Sequence, residues 1–245
     1  MTNTLNISLN GISFHFTSAR KNRFFSDVST SFEVNKIHFI RGKNGAGKST
    51  LFRLMNGTIF SGEYIKGTFT LDGTSYNLSL EHARTSLKEH VRQVPQKFDL
   101  MLADNFSFEE NLSMANMPRL PFLAPLAKQY SIPDFLVDQF EIDFTVPVRR
   151  LSGGQRQILA ILMALQKPTK ILLLDEPTAA LDHKNARMVI HFLQELIRLN
   201  PLLTVLIICH DTELVETYAQ DNYYEIVVHQ NSQRSIDVIP LTQKN

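Results

Sequence analysis

One short segment constrains this chain more than any other feature: residues 42–50 read Gly-Lys-Asn-Gly-Ala-Gly-Lys-Ser-Thr, which fits the pattern G-x-x-x-x-G-K-[ST]. The segment follows a short apolar run, Ile37–Ile40, and opens a stretch with helical spacing, Lys48–Met55. In such a strand–loop–helix unit, the glycines let backbone N–H groups turn inward and hold phosphate oxygens at the positive end of the helix. A glycine-rich turn that merely contains a lysine is the alternative, and it leaves this context unexplained. The predicted phosphate loop consists of Gly42, Lys43, Asn44, Gly45, Ala46, Gly47, Lys48, Ser49 and Thr50.

Two side chains of the predicted phosphate loop carry chemical functions. Lys48 is placed to supply a positive charge to the β- and γ-phosphates of a nucleoside triphosphate. The Ser49 hydroxyl is an oxygen ligand of the kind that Mg²⁺ takes. We therefore predict a triphosphate and Mg²⁺ as ligands, with Lys48 among the catalytic residues and Ser49 among the metal ligands.

A second apolar run ends abruptly in two carboxylates. Ile171–Leu174 reads as a buried strand, and Asp175 and Glu176 follow it directly. Ligands of parallel α/β sheets bind beyond the carboxyl ends of the strands, so these acids should face the phosphate loop. We predict that Asp175 holds the Mg²⁺ shell and that Glu176 orients or deprotonates a water that attacks the γ-phosphate. Acids at a helix start are the alternative, and the pairing with the loop disfavours it.

The charge balance and the distribution of apolar residues exclude several classes of protein. Lys plus Arg number 25 and Asp plus Glu 24, so there is no electrostatic case for binding nucleic acid. The first residues lack the basic and apolar pattern of a secretory signal, and no segment approaches the roughly 20 apolar residues of a membrane-spanning helix. The single cysteine, Cys209, lies in the apolar run Leu202–Cys209 and is expected to be buried, which fits a reducing compartment.

Strand-like runs alternate with helical stretches, which predicts an α/β fold with a mainly parallel sheet. Leu5–Phe16 and Gly67–Asp72 look like antiparallel strands laid against this core. The stretch Lys97–Arg150 differs: it holds five of the ten prolines, and Ser107–Met114 and Pro133–Phe140 have helical spacing. The predicted fold class is therefore a phosphate-loop NTPase (RecA-like) core, residues 1–96 and 151–245, with an antiparallel β subdomain and an inserted helical subdomain, 97–150. The expected elements of the core are strands at Ile37–Ile40, Lys170–Leu174 and Thr204–Cys209 and helices at Lys48–Met55, Gly154–Gln166 and His183–Leu199.

The peptide Leu151-Ser152-Gly153-Gly154-Gln155 resembles the signature of the ABC ATPases. A serine hydroxyl and glycine N–H groups at the start of a helix make a second site for a phosphate. The resemblance implies that Ser152, Gly153, Gly154 and Gln155 of one cassette close on ATP held by the phosphate loop of another cassette. The helix after the signature departs from the transporter pattern, because Ile158 and Met163 stand where arginines are common.

The other landmarks of the family occur in order along the whole chain. The resemblance implies that Gln96 contacts Mg²⁺ and the attacking water, and that His210 contacts the γ-phosphate and holds Glu176. Ala180–Asp182 corresponds to the segment that communicates across the cassette dimer. Phe16 corresponds to the aromatic residue that stacks on adenine, with Phe14 as the alternative; either ring could instead belong to the core.

The resemblance implies an ATPase that powers a membrane transporter from the cytoplasmic face of the cell membrane. Its partners would be a transmembrane permease subunit and a second ATP-binding cassette, and the stretch Phe98–Pro125 would offer the permease a groove. Two alternatives stay open: a soluble ABC ATPase outside transport, such as the iron–sulfur cluster assembly type, and a regulatory nucleotide-binding module without catalysis. The intact signature argues against the first, and the presence of Lys48, Asp175, Glu176 and His210 argues against the second.

Overall fold

The computed structural model describes residues 6–17, 23–117, 132–133, 135–140, 142–230 and 232–241 of the 245-residue chain. The strands are β1 Asn6–His15, β2 Phe25–Glu33, β3 Ile37–Gly42, β4 Tyr64–Leu71, β5 Thr74–Asn77, β6 Val91–Val94, β7 Ile171–Asp175, β8 Thr204–Ile208, β9 Asn222–Val228 and β10 Arg234–Pro240. The α-helices are α1 Lys48–Met55, α2 Glu81–Leu87, α3 Phe108–Ala115, α4 Phe135–Gln139, α5 Gly153–Leu165, α6 His183–Leu199 and α7 Thr212–Tyr218. Two 3-10 helices span Phe98–Met101 and Val148–Arg150.

Six strands form a mainly parallel sheet in the order β10-β9-β3-β8-β7-β6, in which β10 alone pairs antiparallel, with β9. The register sets Ile37 opposite Val205 and Ile171 opposite Thr204. All five residues of β8 are buried, as are the first four of β7. Strands covered on both faces have continuous apolar sequences, which explains why short apolar runs in the sequence located these strands.

A second, antiparallel sheet has the order β2-β1-β4-β5. Buried residues are interspersed with accessible ones along β1, β2 and β4, whereas none of the four residues of the edge strand β5 is buried. The buried faces of this sheet pack with α1 and with one side of the six-stranded sheet into a core that contains Phe14, Phe32, Phe52 and Phe69, each at most 1% exposed.

The opposite side of the six-stranded sheet is covered by α5 and α6, whose apolar faces form a second core with the strands. Helix α6 buries residues three or four positions apart, including Ala186, Val189, Ile190 and Leu193. The Asp182 side chain caps its first turn. The chain leaves the helix at Asn200-Pro201, where proline prevents another helical turn.

The predicted fold class is confirmed, and the core elements lie within one or two residues of their predicted limits. Helices α1 and α6 begin and end at the predicted residues. Strands β1 and β4 overlap the two predicted antiparallel segments, although β4 begins at Tyr64 rather than Gly67 and Leu5 lies outside the described residues. The sequence did not predict β2, β5, β6, β9, β10, α2 or α7.

The segment between β6 and α5 contains α3, α4 and both 3-10 helices, and its described residues form one isolated β-bridge, Ser107 with Pro147, but no strand. Helices α3 and α4 overlap the two stretches predicted to be helical. Residues 118–131 of the proposed insertion lie outside the described residues, and its limits, 97–150, remain a prediction. Within the described part of the chain, no helix has the length and apolar character needed to cross a bilayer.

Candidate active site

Three neighbouring parallel strands, β3, β8 and β7, end at the same edge of the sheet. The predicted phosphate loop follows β3, Glu176 follows β7, and His210 stands two residues beyond the end of β8. The parallel arrangement therefore brings chemistry from three distant parts of the sequence to one place, at the edge where α/β sheets bind ligands.

The backbone of the phosphate loop adopts conformations that favour glycine. Gly45 and Gly47 have φ angles of 76° and 115°. A Cβ on Gly47 would lie 2.7 Å from Cε1 of Phe24, so a larger residue would force the loop and this ring apart. Helix α1 begins immediately afterwards at Lys48, which places the loop at the positive end of the helix dipole.

The Lys48 ammonium group lies inside the loop. It donates hydrogen bonds to the carbonyl oxygens of Gly42, at 2.8 Å, and Lys43, at 3.2 Å. Burial lowers the pKa of Lys48, while the nearby carboxylates of Glu176 and Asp175 act in the opposite direction. The loop thus holds the positive charge of Lys48, a residue that is 7% exposed.

The side chains of Asp175 and Ser49 lie close enough to interact, beside the Lys48 ammonium. Burial raises the pKa of Asp175, and hydrogen bonding from Ser49 opposes that rise. The positive charge of Lys48 also acts to lower the pKa of Asp175.

The Glu176 carboxylate is held from two sides. Gln96 Nε2 donates to Oε2 at 2.9 Å, and His210 Nε2 lies 2.9 Å from Oε1. The Glu176 backbone has a φ of 52°, a left-handed conformation that is costly for a residue with a side chain, and its N–H donates to the Ile208 carbonyl at 3.1 Å. The structure therefore brings Gln96, Glu176 and His210 together, with Cys209 buried as predicted.

The signature peptide forms the start of α5 with a reciprocal capping box. Ser152 Oγ accepts from the Gln155 N–H at 3.2 Å, and the Gln155 side chain accepts from the Ser152 N–H at 3.0 Å. A Cβ on Gly154 would meet Met188 and Asn185, so α5 and α6 approach closely here. Ile158, which stands where an arginine is common, is fully buried, so an apolar side chain suits this position.

The signature is linked to the start of α6 by hydrogen bonds. Ser152 Oγ donates to Asn185 Oδ1 at 3.0 Å, and Asn185 in turn donates to both carboxylate oxygens of Asp182. Hydrogen bonds to Asn185, first among them the backbone one, lower the pKa of Asp182. The signature and the segment Ala180–Asp182 are thus one connected unit within the chain.

Phe16 and Phe14 occupy different environments. Phe14 is fully buried and cannot offer a face to a ligand, whereas Phe16 is half-buried and remains accessible. Phe16 contacts Phe24 edge to face, with 5.0 Å between the ring centroids. Two residues near the loop were not predicted from the sequence. Phe24 covers Gly47, and the guanidinium of Arg234 lies 3.7 Å from the centroid of the Phe24 ring. Neither residue belongs to a recognisable motif, and Arg234 is 188 positions from the loop residue it binds.

A phosphate loop at the carboxyl edge of a mainly parallel sheet, with an Asp-Glu pair at the end of the next strand but one, defines a phosphate-loop nucleoside triphosphatase. Residues 25–179 match the model of the family described as ABC transporter. A tyrosine transport ATP-binding protein of Clostridioides difficile is 33% identical over 76% of this chain and 74% of its own length. An arabinose import ATP-binding protein of Burkholderia ambifaria is 31% identical over 78% of this chain, a match that spans 35% of that protein.

The fold has close counterparts among solved structures. The CbiO1 protein of Clostridium perfringens, described as part of an ABC transporter complex, superposes with a TM-score of 0.74 at 24% identity, over 95% of this chain and 87% of that protein. The chain belongs to the ABC transporter family, and it is an ATP-binding, ATP-hydrolysing cassette of that family. The predicted family and enzymatic class are therefore confirmed.

Proposed function

We propose that Glu176 is the residue that activates water for attack on the γ-phosphate of ATP. The supporting observation is that both of its carboxylate oxygens are held, one by Gln96 and one by His210, at 2.9 Å each. A carboxylate fixed in this way can orient a water and accept its proton without first losing side-chain freedom. Lys48 and the backbone N–H groups of the loop would bind the β- and γ-phosphates and stabilise the charge that develops during the transfer.

Ser49, Asp175 and Gln96 fit the requirements of a Mg²⁺ site. Their oxygen atoms are the type of ligand that Mg²⁺ prefers, and the Ser49 side chain lies close to that of Asp175. Within the described ranges, no group of three or more His, Cys, Asp or Glu side chains could hold a metal ion by itself. The phosphates of ATP would have to complete the shell, as is usual for Mg²⁺ at nucleotide sites; the ion would supply charge neutralisation there.

A second copy of the cassette, or a related cassette, would complete each ATP site. Ser152, Gly153, Gly154 and Gln155 stand at the start of the 13-residue helix α5, where backbone N–H groups and the helix dipole favour an anion. We place the γ-phosphate held by one cassette against the signature of the other, with the adenine stacked on Phe16. ATP would then hold the two cassettes together, and its hydrolysis would release them.

We further propose that the chain powers a membrane transporter through a permease subunit on the cytoplasmic face of the membrane. The surface that supports this partner lies just after Gln96, where Leu100 is 84% exposed and Phe106 48% exposed. Exposed apolar residues of this kind suit contact with an amphipathic helix of a partner protein. Residues 118–125 of the proposed groove lie outside the described residues. Co-purification of a protein with several apolar membrane spans would test this part of the proposal.

The reported relatives carry transport names, so they give no support to the alternative of an ABC ATPase outside transport. What each relative transports is its own property, and no substrate is proposed for this chain.

Glu176→Gln tests the catalytic assignment. The substitution preserves the shape of the side chain but removes the base, and positioned general bases contribute about 10²–10⁴-fold, so we expect the ATPase rate to fall by about that factor. ATP affinity should survive, since Lys48 and the loop are unchanged. Glu195→Gln is the matched control: the same change on α6, where Glu195 pairs with Arg198, should leave the rate unaltered. Near-normal hydrolysis by Glu176→Gln would mean that another group is the base.

A further inference from the structure

Arg234, the first residue of β10, donates hydrogen bonds to Ala46 in the phosphate loop and to Phe24, which precedes β2. Its Nε donates to the carbonyl oxygen of Ala46 at 2.9 Å, and its Nη1 donates to the carbonyl oxygen of Phe24 at 3.0 Å. The same guanidinium lies 3.7 Å from the centroid of the Phe24 ring, within the range of a cation–π contact. One side chain from the edge strand thus holds two separate segments of the nucleotide site.

The hydrogen bond to Ala46 determines which way the next amide points. None of the described peptide bonds is cis, so the Ala46–Gly47 peptide is trans and its C=O and N–H point in opposite directions. A donor that holds the Ala46 carbonyl therefore turns the Gly47 N–H away from Arg234. A charged donor also polarises the peptide, which strengthens the amide as a hydrogen-bond donor.

The contact with Phe24 adds a second constraint on the same peptide. The Phe24 ring lies against Gly47, close enough that a Cβ there would be 2.7 Å from the ring. It also packs edge to face on Phe16, with centroids 5.0 Å apart. Because Arg234 contacts both the ring and the carbonyl of Phe24, it fixes the position of the Phe24 and Phe16 rings relative to the phosphate loop.

We propose that Arg234 is a positioning residue of the nucleotide site: it holds the Ala46–Gly47 peptide with its N–H turned into the loop and braces Phe24 beside Phe16. This inference rests on the proposed function of the loop and extends it to a strand outside the family's motifs. Arg234 does not touch the reacting atoms in this scheme. Its main effect on ATP passes through the direction of one backbone amide, and therefore through the phosphates; its effect on the adenine side is smaller, because Arg234 reaches Phe16 only through the Phe24 ring.

The test compares phosphate binding with base binding in the full chain. Arg234→Gln removes the charge and the forked donor, and we expect the affinity for both ATP and inorganic tripolyphosphate to fall by about tenfold, the usual loss for a charge-assisted hydrogen bond. Competition against a fluorescent ATP analogue measures both, with adenosine as a probe that lacks phosphates. Adenosine affinity should change much less. The kcat at saturating ATP should change less than KM, because Glu176 is untouched.

Two further variants separate positioning from a general effect of charge or of folding. Arg234→Lys keeps the charge but not the planar fork, so it should still bind tripolyphosphate about threefold more weakly than wild type. Arg198→Gln, which removes an arginine that pairs with Glu195 on α6, is the matched control and should bind all ligands normally.

Wild-type affinity for tripolyphosphate in Arg234→Gln would overturn the inference. An Arg234→Lys variant that binds tripolyphosphate as tightly as wild type would also overturn it, and this result decides the matter if Arg234→Gln does not fold. A merely structural role would lower the melting temperature of the variants and leave their affinities intact. Failure of the wild-type chain itself to bind ATP would instead remove the proposed function, so the two failures are distinguishable.

Discussion

Lys48 is the residue whose removal should most directly abolish nucleotide binding. Lys48 is 7% exposed and its ammonium donates hydrogen bonds to two loop carbonyls, so Lys48→Ala removes a fixed cation from the loop. We expect ATP affinity to fall by about 100-fold, the upper end for a charged hydrogen-bonding group. Titration with a fluorescent ATP analogue measures the change, and Lys66→Ala, an exposed lysine on β4, is the control. Unchanged affinity would contradict the role given to the loop.

A second prediction concerns the ion pair between Arg53 and Glu63. The Arg53 guanidinium of this pair lies over the rings of Phe14, Phe16 and Phe60. The guanidinium donates to both carboxylate oxygens, at 2.6 and 3.0 Å, and the Glu63 side chain is 7% exposed. Burial acts to raise the pKa of Glu63, but hydrogen bonds from Arg53 and from the Phe60 N–H outweigh it and lower this pKa below its usual 4.5. A lowered pKa means that the pair stabilises the fold above the unfolded-state pKa and that this stabilisation is lost as the pH falls through the folded-state pKa.

We therefore expect Glu63→Gln to reduce the free energy of unfolding by about 2 kcal/mol at neutral pH, because it leaves a partly buried guanidinium without its counter-charge. The difference from wild type should shrink at acidic pH, where the wild-type carboxylate is also protonated. Urea denaturation at neutral pH and again in acid gives both values. A difference that is the same at both pH values would show that the charge of Glu63 is not what stabilises the fold.

At the scale of secondary-structure elements, the parts with strong local signals were predictable. Helix α6 combines a capping aspartate, an apolar face and a terminal Asn-Pro, and its limits follow from the sequence. Strand β10 could not be predicted, because its residues alternate polar and apolar character weakly and, although it forms a hairpin with β9, the place of that hairpin in the sheet depends on the long-range pairing of β9 with β3. For the same reason the sequence showed the loop glycines but not that Arg234 and Phe24 lie against them.

Two helices with the same type of cap allow a prediction that separates stability from function. Ser107 caps α3 and Ser152 caps α5, each with a reciprocal capping box. Substitution of either serine by alanine should lower the free energy of unfolding by about 1 kcal/mol, the usual cost of a lost N-cap. Ser152→Ala should also slow ATP hydrolysis, whereas Ser107→Ala should not, since only Ser152 lies in the proposed phosphate-contacting signature. Thermal melts and steady-state ATPase assays measure the two effects. Equal ATPase rates in the two variants would remove Ser152 from the site.

At the scale of the whole molecule, we propose that the nucleotide site consists of two halves. The phosphate loop, Asp175, Glu176 and His210 meet at the edge of the sheet, while Ser152 is bonded to the start of α6 through Asn185. The sequence resemblance implied that these halves join only between two cassettes. The geometry of one chain supports this arrangement, because each half is already built and held by its own hydrogen bonds before any partner arrives.

The mass of the Glu176→Gln variant, measured with ATP and with ADP, shows whether ATP joins two cassettes. We expect the variant to bind ATP but to hydrolyse it slowly, and it lacks a negative charge near the γ-phosphate, so ATP should hold two cassettes together for long enough to be separated. Size exclusion with light scattering should give twice the monomer mass with ATP and the monomer mass with ADP. Adding Ser152→Arg, which places a bulky side chain in the signature, should restore the monomer. A mass that is the same with ATP and ADP, while the variant still binds ATP, would contradict the account.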